Sequence, residues 1–140
     1  MRKMSLDVGT RTIGIAVSDM TGMIANGVET IHRTTEERDY ARLNQLVCDY
    51  EVDTLVVGYP KNMNGTVGER AKACELLAQK LKEKFPTLAV VLWDERLSTV
   101  AAEKVLVAAD MRRKKRKKII DMMAAVVILQ NYLDSKSFKI

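Results

Sequence analysis

Two alternating runs near the N-terminus, followed later by two unbroken apolar runs set apart by helical periodicity, restrict this chain to a sheet of mixed direction covered by helices. Met4 to Val8 and Ile13 to Val17 alternate apolar and polar residues on either side of the turn-like Gly9-Thr10-Arg11-Thr12, the pattern of a hairpin. Met23 to Ile31 is a third β segment, interrupted by Asn26 and Gly27. Thr54 to Val57 and Leu88 to Trp93 have no alternation, as expected of strands buried on both faces. Three antiparallel-looking strands followed by strands alternating with helices predict an α/β architecture, a mixed sheet flanked by helices.

The helices are marked by caps and spacing. Thr34 and Glu37 have capping-box spacing ahead of Tyr40, Leu43, Val47 and Tyr50, and Thr66 and Glu69 repeat it ahead of Cys74, Leu77, Leu81 and Phe85. A third helix is expected over Val100 to Ala109, capped by Ser98 or Thr99, and a last one from about Ile119 to Leu133. With 140 residues, 47% of them hydrophobic, the chain has material for one domain, residues 1–140, with a real core and no linker. The apolar stretch Met122 to Leu129 is far short of the ~20 residues that span a bilayer. The N-terminus begins a strand pattern rather than a signal peptide, and no membrane partner is expected. Cys48 and Cys74 lack CxxC spacing and there is one histidine, which argues against a disulfide framework or a cysteine–histidine zinc site. A reducing cytoplasm is the expected setting, and any catalytic metal would be held by oxygen ligands, as Mg²⁺ or Mn²⁺ are.

Charge is distributed unevenly. Arg112, Arg113, Lys114, Lys115, Arg116, Lys117 and Lys118 form an uninterrupted run, and without these seven the 23 Lys and Arg fall to 16 against 18 Asp and Glu. The net charge of +5 is therefore the property of one segment. Seven adjacent cations repel one another, which points to a polyanionic partner, nucleic acid, over a merely solvated run.

Three acids stand where ligand sites form in such sheets, near carboxyl ends of strands. Asp7 lies inside the first strand pattern, where an acid is costly without charged partners, hydrogen bonds or a metal; alternatively it is a turn-side acid bonded to amides around Gly9. Glu95 follows the run Leu88 to Trp93, or else is a loop acid paired with Arg96. Asp121 opens the last helix with Ala124 and Ala125 three and four residues on, or else is a cap or helix-dipole acid. Asp94 is a substitute or second-shell ligand that sequence alone does not rank against Glu95.

The segments LDVGTRTIGIAVSD, GYPKNMNGT, DERLSTVAAE and KKIIDMMAAVVILQNYLD, in that order and spanning essentially the whole chain, resemble the YqgF or RuvX family of Holliday junction resolvase-like and pre-16S rRNA nucleases. The resemblance implies a ribonuclease H-like fold with a five-stranded mixed sheet. It places Asp7, Glu95 and Asp121 on the family's three acidic active-site positions, which implies catalysis by divalent ions, Mg²⁺ or Mn²⁺, at those carboxylates. The implied activity is metal-dependent phosphodiester hydrolysis in 5′ end maturation of precursor 16S ribosomal RNA. The alternatives are resolution of four-way DNA junctions, and a non-catalytic transcription-associated factor that binds nucleic acid. A nucleotide-binding ATPase fragment, suggested by Asp7-Val8-Gly9-Thr10, would need a second similar domain.

Arg11, Lys61 and Arg96 are candidates for holding phosphates near the metal, alongside the seven-residue run. Aromatic content is 5%, so base stacking is a minor element: Tyr59 and Trp93 could each offer one surface, with a core role favoured for Trp93. The expected assembly is a monomer or weak homodimer, since no self-complementary surface is legible.

Overall fold

A computed structural model describes residues 1–60, 65–94 and 113–137, with the backbone alone for 113–121 and 136–137. Five strands form one sheet: β1 (Arg2–Val8), β2 (Thr12–Ser18), β3 (Ala25–His32), β4 (Val52–Tyr59) and β5 (Ala89–Asp94). The described helices are α1 (Glu36–Asp49), α2 (Glu69–Lys84) and α3 (Arg113–Ser137). Strand order is β3-β2-β1-β4-β5, so the first strand lies in the middle. β1, β2 and β3 form an antiparallel meander, whereas β4 lies parallel to β1 and β5 parallel to β4. The change of direction follows from connection length. A tight turn can only reverse the chain, and α1 and α2 supply the long crossovers that parallel neighbours need.

The side chains of β1 divide the core in two. Met4, Leu6 and Val8 join Leu43 and Leu46 of α1 and Ala71, Cys74 and Leu81 of α2 on one face. On the other face Ala16, Ala25 and Val56 meet Ala125, Val126, Ile128, Leu129, Tyr132 and Leu133 of α3. Positions 125, 128, 129 and 132 form one helical stripe, and small residues beneath it let the helix approach closely. A Cβ added to Gly27 would stand 3.3 Å from the Met122 Cβ. Burial of Ile128 and Leu129, both essentially inaccessible, stabilises this contact by about 1.5–3 kcal/mol each. Truncating Leu129 to Ala would cost about 2–5 kcal/mol. Ser5, fully buried on the same face, donates its hydroxyl to the Ala125 carbonyl at 2.5 Å and joins strand to helix directly.

Several boundaries differ from the sequence expectations. The cap of α1 is Thr35, whose hydroxyl accepts from the Arg38 amide, while Asp39 accepts from the Thr34 amide. The cap is thus displaced by one residue, because two adjacent threonines offer the same acceptor, and the expected Thr34–Glu37 box does not form. α2 begins at Glu69 with Gly68 as its cap and no side-chain cap bond, so Thr66 does not open the helix. β5 is an edge strand with Leu92 39% exposed, which corrects the expectation of a strand buried on both faces. α3 starts six residues before the expected Ile119 and takes in Arg113 to Lys118, since Lys and Arg are good helix formers whatever their polarity. The helix expected over residues 100–109 lies outside the described residues. Among the described residues no helix is long and apolar enough to cross a membrane.

Candidate active site

Asp7 is the penultimate residue of the middle strand, one pleat beyond Ser5, and alternation therefore turns it toward the face covered by α3. Its side chain is 24% exposed. Loss of water raises the carboxyl above its ordinary value, against a smaller opposing pull from the Arg70 guanidinium. Across the sheet it faces Gly14 of β2. Among the described residues this carboxylate has little water, no side chain opposite it on β2 and one loose cationic partner, Arg70, a condition under which a further cation is attracted.

The turn after Asp7 is braced from two sides. The Gly9 amide donates to the Thr12 carbonyl at 2.8 Å, and the Arg33 guanidinium donates to the Gly9 carbonyl at 2.8 Å. The Arg33 amide also donates to the Arg11 carbonyl at 2.8 Å. Arg11 is thereby carried on a fixed backbone at the carboxyl end of β1, with its side chain exposed as a phosphate contact requires. From α2, Arg70 reaches the same end: its Nη2 lies 3.7 Å from the Asp7 carboxylate and donates to the Val8 carbonyl at 3.4 Å.

The direction of α3 fixes which of its turns lie nearby. Gln130 accepts from the Ala25 amide and donates to the Met23 carbonyl, whereas Met122 lies against Gly27 further along β3. β3 and β1 run the same way, each antiparallel to β2, so α3 proceeds toward its N-terminus in the direction that β1 takes toward Asp7. The backbone of Asp121, one residue before Met122, belongs to that end of the helix.

Asp94 is on the other side. It pairs in register with Tyr59, whose hydroxyl donates to Glu75 of α2, and Glu75, first, and Asp94, less, help hold the phenol up at about 12. The Asp94 neighbour in the strand, Trp93, packs instead toward α3, edge-on to Tyr132 at 5.7 Å. Alternation thus turns Asp94 to the sheet face opposite Asp7. Tyr59 is buried with its hydroxyl engaged, which removes it as a stacking surface, and Trp93 has the expected core role.

Of the remaining candidates, Glu95, Lys61, Arg96 and Arg112 lie outside the described residues, and Arg113 to Lys118 and Asp121 are placed by backbone only. Among the described residues no group of three His, Cys, Asp or Glu could hold a metal. Donor chemistry at Asp7 nonetheless fits a hard cation, because softer ligands are elsewhere. His32 and Cys48 are exposed on β3 and α1, and Cys74 is buried with the opposite face of the sheet. The sequence reading missed Ser5, Arg33 and Arg70. A serine in a strand and cations beside a helix start look like ordinary surface chemistry until the register brings them together.

A five-stranded sheet of this order, with a meander on one side and a long helix across one face, is the ribonuclease H-like fold of RuvC-type proteins. Thermus thermophilus RuvC, solved in complex with a Holliday junction substrate, superposes with a TM-score of 0.64 over 98% of this chain and 97% of that one, at 13% identity. The fowlpox virus Holliday junction resolvase gives 0.58 over 96% and 99%, at 14% identity. Within that class the chain belongs to the RuvX family, whose model, described as Holliday junction resolvase, matches residues 1–135. A Geobacillus kaustophilus (strain HTA426) protein described as "Putative pre-16S rRNA nuclease" is 62% identical over 138 residues, 97% of this chain and 99% of that protein. A Bacillus cytotoxicus protein of the same description is 57% identical over 139 residues, covering 97% and 100%.

Proposed function

We propose that this chain is a divalent-metal-dependent endonuclease, one domain over residues 1–140, that hydrolyses phosphodiester bonds in 5′ end maturation of precursor 16S ribosomal RNA in the cytoplasm. The observation that carries the proposal is Asp7, a desolvated carboxylate in the middle strand, on the face covered by α3 and at the end of the sheet toward which α3 begins. Family membership and the description of the Geobacillus and Bacillus relatives support the choice of substrate. Asp7, Glu95 and Asp121 are the proposed ligands of Mg²⁺ or Mn²⁺, which when bound supply Lewis-acid chemistry to a phosphodiester and its attacking water. Arg11, Lys61 and Arg96 hold substrate phosphates close to those carboxylates, and the cations from Arg112 to Lys118 dock the strand by charge. With few aromatic residues and no stacking surface at Tyr59, recognition rests on backbone charge and shape rather than on base identity.

Resolution of four-way DNA junctions is the second reading, favoured by the description of the family model and by the likeness of fold to RuvC. Cleavage of a precursor 16S RNA 5′ end and of a four-way DNA junction, side by side in Mg²⁺, Mn²⁺ or EDTA with wild type and Asp7→Asn, separates the two. Metal-dependent cutting of the RNA, lost in the variant, is the expected result. Cutting confined to the junction would transfer the proposal to DNA, and binding of either substrate without cutting would leave a non-catalytic factor.

A further inference from the structure

We propose that Arg70 is a stand-in counter-ion for Asp7, exchanged for a divalent ion when the site loads, and that the released guanidinium then engages a non-bridging oxygen of the scissile phosphate. The inference rests on the nuclease reading above. Arg70 is the second residue of α2, and a cation in the first turn is opposed by the helix dipole, so the helix itself gives no reason for it. Its reason is the carboxyl end of β1. Among the described residues it is the one cation within 4.0 Å of the Asp7 carboxylate.

The contact is loose in a way that permits exchange. Nη2 stands 3.7 Å from Asp7 Oδ1 and 3.4 Å from the Val8 carbonyl, both longer than an ordinary hydrogen bond. Elsewhere the chain makes tight pairs: Lys3 meets Asp53 at 2.8 Å, and Arg42 grips both oxygens of Glu29. The Arg70 side chain is 60% exposed, against 24% for Asp7. The acid is therefore the enclosed partner and the arginine the exposed one, free to swing away from both contacts. A divalent ion arriving at Asp7 repels the guanidinium and takes over its role. The displaced group is a planar fork of donors suited to two phosphate oxygens, and it is left at the mouth of the same site.

The test measures Mn²⁺ binding by calorimetry without nucleic acid, and single-turnover cleavage of a 5′-extended precursor 16S RNA at saturating Mn²⁺. Both use the full chain as wild type, Arg70→Ala, Arg70→Lys and Asp7→Asn. Arg70→Ala should bind Mn²⁺ about 3-fold more tightly, the scale of one solvent-exposed ion pair. The same variant should cleave about 10²-fold more slowly, the scale of one lost transition-state donor. Arg70→Lys should return Mn²⁺ affinity to the wild-type value and recover only part of the cleavage, since an ammonium lacks the fork. Unchanged or weakened Mn²⁺ binding in Arg70→Ala overturns the exchange, and undiminished cleavage overturns the phosphate contact. A lowered melting temperature with both activities reduced would mark a purely structural residue and overturn both. Wild type that binds Mn²⁺ through Asp7 but cuts no RNA would refute the nuclease reading and the phosphate contact, while tighter Mn²⁺ binding in Arg70→Ala would still support the exchange.

Discussion

Ser5→Ala isolates the direct bond that, among the described residues, joins the strand that carries Asp7 to the helix that carries Asp121. Ser5 is fully buried and its hydroxyl donates to the Ala125 carbonyl, an oxygen that as part of α3 also accepts from the helix backbone. Removing the donor therefore strands no acceptor, and the loss is that of one net hydrogen bond, about 1 kcal/mol. For a chain of this size that corresponds to a fall of about 3 °C in melting temperature. Ile128 and Leu129 still anchor the helix, so the fold persists and cleavage should fall by less than about 10-fold. Ser5→Val adds two methyl groups beyond alanine to a fully buried position and should cost about 1–3 kcal/mol more than Ser5→Ala. Urea and thermal denaturation with the fluorescence of Trp93 as the probe would measure both. A neutral or stabilised Ser5→Ala would refute the view that this bond fastens strand to helix, and a loss above ~3 kcal/mol would mean that the Ser5 hydroxyl also accepts a hydrogen bond.

Asp7→Asn should stabilise the metal-free chain at neutral pH. Burial raises the folded carboxyl above 3.8, so its ionised form opposes folding at neutral pH, and that opposition fades as pH falls through the raised value toward 3.8. Denaturation in EDTA across that window should show a flatter profile for Asn, and equal profiles would contradict the desolvation of Asp7. Replacing Lys114, Lys115 and Lys117 with Gln should reduce the salt slope of RNA binding by about 2, from a ceiling near −5 for seven contacts at ~0.7 each, and an unaltered slope would remove the run from the interface. Glu75→Gln should bring the Tyr59 phenol down from about 12 toward its usual 10, read by phenolate absorbance, because the neighbouring negative charge that penalises ionisation is gone. A phenol that stayed at about 12 would assign the rise to burial instead.

What could be read in advance was whatever depends on local periodicity. The hairpin around Gly9, the strand through Val57 and the face of α2 through Cys74 and Leu81 all follow from residues a few positions apart, whereas Gly58 and Tyr59, which read as the start of a loop, continue β4. β5 misled because an apolar run carries no mark of whether its last neighbour in the sheet is present. The start of α3 misled because charge hid helix propensity. Asp7 was legible as an acid in an unusual place, and its face could be inferred from the apolar Leu6 and Val8 on either side. Arg70 could not be found, since its partner lies 63 residues away and meets it only through the parallel pairing of β1 with β4 and the return of the chain into α2. Asp94 and Glu95 are indistinguishable as text. One step along β5 decides which side of the sheet an acid faces, and Asp94 shares its side with Tyr59.

On the proposed function, α3 would also be a measuring rod. From Arg113 to Asp121 the helix advances about 12 Å, and stacked nucleotides advance 3.4 Å each along one strand. If the cations at one end dock a strand whose phosphate is cut at the other, cleavage falls about three or four nucleotides from the anchor whatever the bases are. A single rigid element would then convert non-specific attraction into a fixed place of scission, and selectivity would lie in counting.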